Sequence, residues 1–321
     1  MPPSGYVELH CHSGFSFLDG ASSPEELALE AAHLGYPALA LTDHHGLYGS
    51  MAFAQAATRL GLQAITGAEV TLDSGAHLTL LAETATGYAN LCRLITTAHL
   101  GSPDRRDPRL PFSSLIERHE GLIVLSGCRD GLLPKTLDRE GTAAGRRLAE
   151  LCRDTFGSER FFVELQRNGV RGDRGRTRAL ADLAETVGLP VVATRDVHYH
   201  NVSRYRLHDV LVAIKNRTSL DGAHVARRPN NDFYLRPPED VAALFPDLPR
   251  AIDNTRVIAE RCAGFDLTRD LGYTFPDFHG ADKTPAPQAL ALFCRARLEE
   301  RYPPGSTWRA RTMNRCGAGP T

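Results

Sequence analysis

The sequence predicts an α/β protein built as a closed or nearly closed (β/α) barrel. Short apolar runs rich in Val, Ile and Leu alternate with longer helical patterns over the first two hundred residues. Seven such runs occur, and no G-x-G-x-x-G follows the first, which sets the chain apart from an open doubly wound sheet. Their unbroken apolar character suits a parallel sheet buried on both faces.

The predicted strands are Tyr6 to His10, Ala38 to Thr42, Ala64 to Val70, Leu78 to Ala82, Leu122 to Ser126, Phe161 to Leu165 and Val191 to Thr194. The first helix has a readable start, because Ser23-Pro24-Glu25-Glu26 supplies a capping Ser, a Pro at the first position and a Glu at the third. Gly35 stops it. Further helices are expected over Met51 to Leu60, Gly87 to Ala98, Ala143 to Phe156 and Arg176 to Val187. Ser102 to Pro111 reads as a charged, Pro-rich loop and Arg167 to Arg178 as an Arg- and Gly-rich one, both solvated in preference to phosphate-binding.

After His200 the pattern turns helical, in RYRLHDVLVAI, PEDVAALF and AIDNTRVIAERC. The expected organisation is a barrel core over 1–200, a helical completion over 201–280, and a tail over 281–321 without apolar periodicity.

Net charge is −1, from 37 basic and 38 acidic residues, so no bulk field draws the chain to nucleic acid and any DNA contact must be local. Of the basic residues 34 are Arg, which reads as base composition of the genome and carries no functional weight. The seven cysteines are scattered and never spaced C-x-x-C, which argues against a disulfide framework or a four-cysteine zinc site. The N-terminus lacks a secretory pattern, and no apolar run approaches the roughly 18 residues of a membrane span. A cytoplasmic protein without a membrane partner is expected.

Chemistry concentrates at strand ends. His10-Cys11-His12 closes the first strand, and residues two apart share a face, so both imidazoles aim at one point while Cys11 faces away. Alone, such a pair fits a core role as well as a metal. It recurs, however, in Asp196-Val197-His198 after VVATR, and Asp43-His44-His45 and Glu69 end two strands between them. Asp19 and Cys128 lie in loops that follow strand ends. Imidazoles, carboxylates and one thiol on one rim suit Zn, Mn or Fe, not Ca, and so many ligands imply two or three ions. Such a site activates water near neutral pH and neutralises a phosphate, which points to phosphoester hydrolysis.

YVELHCHSGFSFLDGASSPEEL, ALALTDHHGLYG, AITGAEVTL, HLTLLAETATGYANLCRLI, GLIVLSGCRDG and LPVVATRDVHYH together resemble the PHP (polymerase and histidinol phosphatase) family. LHDVLVAI, FYLRPPEDVAALFPDLPRAIDNTRVIAERC and LGYTFPDF extend the likeness to the N-terminal domain of bacterial DNA polymerase III alpha subunits, over roughly residues 5–300. The phrasing of TDHHG, NLCRLIT and LGYTFPDF is most similar to the error-prone, mutagenesis-associated branch.

The resemblance implies a PHP-type distorted (β/α)7 TIM-like barrel with a short helical extension, binding two or three divalent metals, Zn foremost. Residue by residue it implies ligands at His10, His12, Asp19, His44, Glu69, His77, Cys128, Asp196 and His198. His77 opens its strand, so its place rests on the HLTLLAE match alone, and His45 replaces His44 if the register slips by one. Asp19, His12 and Asp196 are the expected catalytic residues, acting through a metal-activated hydroxide. Arg195 is open to two readings, a phosphate contact or a carboxylate partner. His200 is a candidate support for the ligands. His33, His99, His119, His208, His224 and His279 read as surface or capping residues.

The resemblance further implies a 3′-5′ exonuclease on DNA 3′ ends and, in the full-length relative, the sliding clamp and replication or mutagenesis proteins as partners. No D-x-D carboxylate pair for a polymerase palm is present, and the likeness fades near residue 300, so a truncated or frame-shifted chain without polymerase chemistry is expected. Two alternatives stand beside hydrolysis at DNA ends: a non-catalytic module held together by metal, and a small-molecule phosphatase, which the polymerase-like stretch Leu207 to Phe278 disfavours. An amidohydrolase-type barrel would bridge its metals with a strand Lys, and Lys135, Lys215 and Lys283 are not placed for it.

Overall fold

A computed structural model describes residues 5–104, 106–272 and 284–302. Two units are distinguished, Met1–Leu271 and Gly272–Thr321. The second contains one described helix, Ala286–Arg301; the tail after it and most of the LGYTFPDF motif lie outside the described residues.

Six strands form one sheet in sequence order: β1 Ala38–Leu41, β2 Gln63–Thr71, β3 His77–Ala82, β4 Leu122–Leu125, β5 Phe161–Gln166 and β6 Val191–Thr194. The predicted first strand, Tyr6 to His10, is an extended segment with isolated bridges, not a regular strand. It joins both edges of the sheet, through Glu8 to Leu39 of β1 and through Cys11 to Val197 just past β6. Val197 bonds to the residues on either side of Cys11, its N donating to His10 O at 2.9 Å and its O accepting from His12 N at 2.7 Å. The sheet thereby curls into a barrel of seven staves.

The sheet is mixed, which corrects the all-parallel expectation: β3 runs antiparallel to both β2 and β4. Only Leu72 to Ala76 connect β2 to β3, and a parallel crossover needs a dozen or more residues. The reversal brings the start of β3 to the rim where the parallel strands end.

Helices α1 Pro24–His33, α2 Ser50–Leu60, α3 Ala85–Gly101, α4 Phe112–Glu117, α5 Leu132–Glu140, α6 Thr142–Phe156 and α7 Asp173–Val187 connect the strands. Ser23 and Glu26 cap α1 reciprocally as read, a device worth about 1 kcal/mol. The loop expected over Arg167 to Arg178 ends early, since α7 already begins at Asp173, whose carboxylate accepts from the Asn168 and Val170 amides.

Alternate strand residues serve two cores. Phe161, Val163 and Leu165 pack with Leu27, Phe53, Leu91 and Leu183 of the surrounding helices. Phe162 instead joins Val7, Leu9, Ala40, Ile65, Ile123 and Val192. Helices α8 Tyr205–Lys215, α9 Pro238–Ala242 and α10 Pro249–Cys262 follow. Ile258, Ala259 and Cys262 of α10 complete the second core. Polar contacts from α10 reach the beginnings of three staves, from Thr255 to Val7, from Ala259 to Gln63 and from Asn254 to Val191. The helix thus closes the end opposite the functional rim, leaving the strand ends open for chemistry.

Candidate metal centre

The rim gathers the nine sequence-predicted positions. Potential ligand atoms form three compact groups: His10, His12, Glu69 and Asp196; Asp19, His198 and His208; and Glu69, His77 and Cys128. Glu69 belongs to two of them. Its Oε2 lies 2.6 Å from His10 Nε2 and 3.4 Å from His12 Nε2, while Oε1 meets His77 Nδ1. Cys128 Sγ is 3.6 Å from the same His77 nitrogen. Asp196 Oδ1 lies 3.4 Å from His12 and 3.1 Å from His198. Asp19 meets His198 at 3.3 Å and His44 at 3.4 Å.

His44 belongs to no compact group among the described residues, yet its Nδ1 is 3.6 Å from Glu69 and its ring stacks on His12 at 4.3 Å. His45 points elsewhere, to Thr71 Oγ1 at 3.1 Å, whereas His44 faces the carboxylates of Asp19 and Glu69. His45 and Asp196 both carry positive φ, 54° and 51°, a strain of order 1 kcal/mol that surrounding structure must hold. His77 occupies its place because β3 is antiparallel, a reason that periodicity alone did not supply.

Four supporting residues escaped the sequence reading. His208, read as a surface or capping residue, is buried on α8 with Nε2 3.8 Å from Asp19. Glu164 is buried in β5 and contacts His10 Nδ1 at 2.7 Å, with Thr194 donating to the same carboxylate oxygen. Glu8 accepts from Tyr6 OH and the His10 amide, and burial pushes its carboxyl up to about 7. Arg228 extends its Nη1 to Asp196 Oδ2 at 2.9 Å, touches His198, and rests its plane on Phe233 at 4.6 Å. An acid inside an apolar strand, as in YVELH and FFVELQ, was the available signal for the two glutamates.

Arg195 takes the second of its two readings. Its side chain is wholly buried and donates to the carbonyls of Arg167 and Asp232, with the Asp232 carboxylate at 3.1 Å. His200 contacts Ser22 Oγ at 2.8 Å and supports the loop after Asp19, not a ligand. That loop is tight: a Cβ on Gly20 would lie 1.8 Å from Ser13 O.

Electrostatics favour a cation here. Burial works against the charge of Asp19, Glu69 and Asp196, but neighbouring imidazoles, and Arg228 at Asp196, outweigh it and hold all three carboxyls well below the usual range. Burial and Arg228 hold His198 down to about 4, so the ring is neutral, the form that a metal ion takes. Burial opposes protonation of His12 too, yet Asp196 and Glu69 raise it to about 9. A proton there answers the same negative field that a divalent ion would. His12 Nε2, His198 Nδ1 and His208 Nε2 are buried and make no hydrogen bond although carboxylate oxygens stand near them. Such orphaned donors converging on carboxylates fit metal ligation.

The PHP domain family model matches residues 8–168. The chain is 44% identical to an error-prone DNA polymerase of Symbiobacterium thermophilum, over 80% of this chain and 25% of that protein. It is 41% identical to the error-prone DNA polymerase of Mycobacterium tuberculosis over 95% of this chain and 29% of that protein. It is 36% identical to the DNA polymerase III subunit alpha of Escherichia coli over 94% of this chain and 26% of that protein. The chain thus spans little more than a quarter of the curated relatives it matches. Among the described residues no helix is long and apolar enough to cross a membrane. With its barrel, its rim of imidazoles and carboxylates and these relatives, the chain belongs to the PHP domain family, in the form shared with DNA polymerase III alpha and error-prone DNA polymerases.

Proposed function

We propose that this chain is the phosphoesterase module of a DNA polymerase III alpha-type polymerase of the error-prone branch, working in the cytoplasm as a metal-dependent 3′-5′ exonuclease on DNA ends. The observation that carries the reading is the sharing of Glu69 between two of three contiguous ligand groups, an arrangement suited to adjacent ions. His10, His12, Glu69 and Asp196 would hold one ion, Glu69, His77 and Cys128 a second, and Asp19, His198 and His208 a third, with His44 bordering the last two groups.

Zn is the foremost candidate, with Mn or Fe as alternatives. Divalent ions supply Lewis acidity, which activates water and offsets phosphate charge. The protein's share is positioning. Glu164 fixes the His10 ring from behind, and His12, Asp19 and Asp196 present the reacting face. Arg228, braced on Phe233, offers its guanidinium to a phosphate oxygen, the role considered for Arg195 on sequence grounds.

Elemental analysis of the purified full chain, with digestion of 3′-labelled single-stranded DNA by wild type and Asp19→Asn, tests the reading. Bound metal, with digestion that chelator and the substitution both abolish, is expected. Metal without digestion would leave a non-catalytic, metal-stabilised module, and no metal would remove the site altogether.

A further inference from the structure

The opening above the metal groups is aromatic as well as charged. A cavity of about 410 Å³ lies over Asp19, His44 and His77, and Phe15, Phe17 and Tyr48 stand in its wall. Phe17 is 81% exposed, Tyr48 68% and Phe15 47%. Rings left in water around one opening mark a surface that something else covers.

These rings are seated, not merely protruding. A Cβ on Gly46 would fall 2.4 Å from Tyr48 Cε2, and one on Gly49 would fall 2.8 Å from Phe15 Cδ2. The two glycines of GLYG therefore leave the room that the rings occupy. Cationic groups share the cavity: Arg106 lines it, and half-exposed Lys215 reaches Asp19 Oδ2 at 3.0 Å.

We infer that this mouth is a nucleobase subsite, in which Phe15, Phe17 and Tyr48 stack the last bases of a single-stranded DNA 3′ end while Lys215 attends the phosphate over Asp19. The inference rests on the phosphoesterase reading and specifies its substrate. Planar apolar faces beside a cation and a phosphate-seeking centre match unpaired nucleotides, whose bases all present a π-face and whose backbone is anionic. A small phosphate ester would leave all three rings uncovered. A protein segment would cover the rings and make no use of Lys215.

The test uses the full metal-loaded chain in two arms. Hydrolysis of glycerophosphoethanolamine, an aliphatic phosphodiester, reports the metal centre without any ring to stack. Fluorescence anisotropy with a 5′-fluorescein oligothymidylate of about eight nucleotides reports the subsite, whether or not turnover occurs. Phe17→Ala and Tyr48→Ala should each weaken oligonucleotide binding roughly tenfold, with diester hydrolysis unchanged. An oligonucleotide abasic at its last positions should bind wild type as weakly as a chain carrying both Phe17→Ala and Tyr48→Ala binds the intact one. Oligonucleotide affinity indifferent to both substitutions would overturn the subsite, even with diester hydrolysis intact. Absence of diester hydrolysis with ring-dependent binding would uphold the subsite and overturn the phosphoesterase reading.

Discussion

His77 Nδ1 meets Glu69 Oε1 across an antiparallel strand pair, so the first residue of β3 and a residue near the end of β2 face one point. Because Glu69 also faces His10 through its other oxygen, one carboxylate ties two ligand groups together. Glu69→Gln keeps the shape and removes the charge. Metal stoichiometry should fall by more than one ion per chain, and phosphoester turnover should drop on the order of 10²-fold or more. Loss of a single ion, with the remainder bound as in wild type, would show that the two groups are independent.

Glu164 makes a separate case, because it touches His10 from the side away from Glu69. Its Oε1 is 2.7 Å from His10 Nδ1, and it is buried within β5. Such a partner fixes tautomer and ring orientation. Glu164→Gln should weaken metal binding about 10- to 100-fold, measurable by competition with a chromophoric chelator. An unchanged affinity would reduce Glu164 to a packing residue.

Most of the rim was legible because strand alternation and strand ends are local facts. H-x-H and D-x-H pairs announce themselves in any barrel, and seven staves were counted from apolar runs. What was hidden depended on direction and on distance. Seven residues separate the predicted strand ends Val70 and Leu78, too few for a parallel crossover, so the antiparallel strand and the place of His77 follow from loop length. His208 and Arg228 could not be found that way, since each arrives from beyond the barrel, one on α8 and one on an irregular segment. Arg195 misleads for the opposite reason: beside Asp196 in sequence, it turns inward to Asp232.

The two arginines should therefore part company under mutation. Arg195 is wholly buried with a carboxylate and two carbonyls as partners. Arg195→Ala strips the donor from two carbonyls and leaves a large void, while Arg236 keeps the Asp232 carboxylate paired, and should cost about 2 to 4 kcal/mol of stability. Arg228 faces the ligand groups and is partly exposed. Arg228→Ala should leave the melting temperature within a few degrees while lowering kcat/KM on the order of 10²-fold. Thermal melts and kinetics on both variants decide the matter, and the reverse pattern would return the phosphate contact to Arg195.

Away from the metal, Arg167 forms a two-pronged pair with Asp247, at 2.6 and 2.9 Å, fastening the loop after β5 to the turn before α10. The arginine side chain is buried and the carboxylate is 40% exposed, so screening holds the value of the pair to about 0.5 to 1 kcal/mol. The hydrogen bonds from Arg167 draw the Asp247 carboxyl down to about 2. A carboxyl lowered on folding adds stability that is fully present above its unfolded value, near 4, and disappears as pH falls through the folded one. Urea unfolding of chelated wild type and Asp247→Asn should accordingly differ at pH 7 by that amount and converge between about pH 4 and pH 2. A difference that persisted undiminished to pH 2 would place the effect in packing, with no contribution from the ion pair.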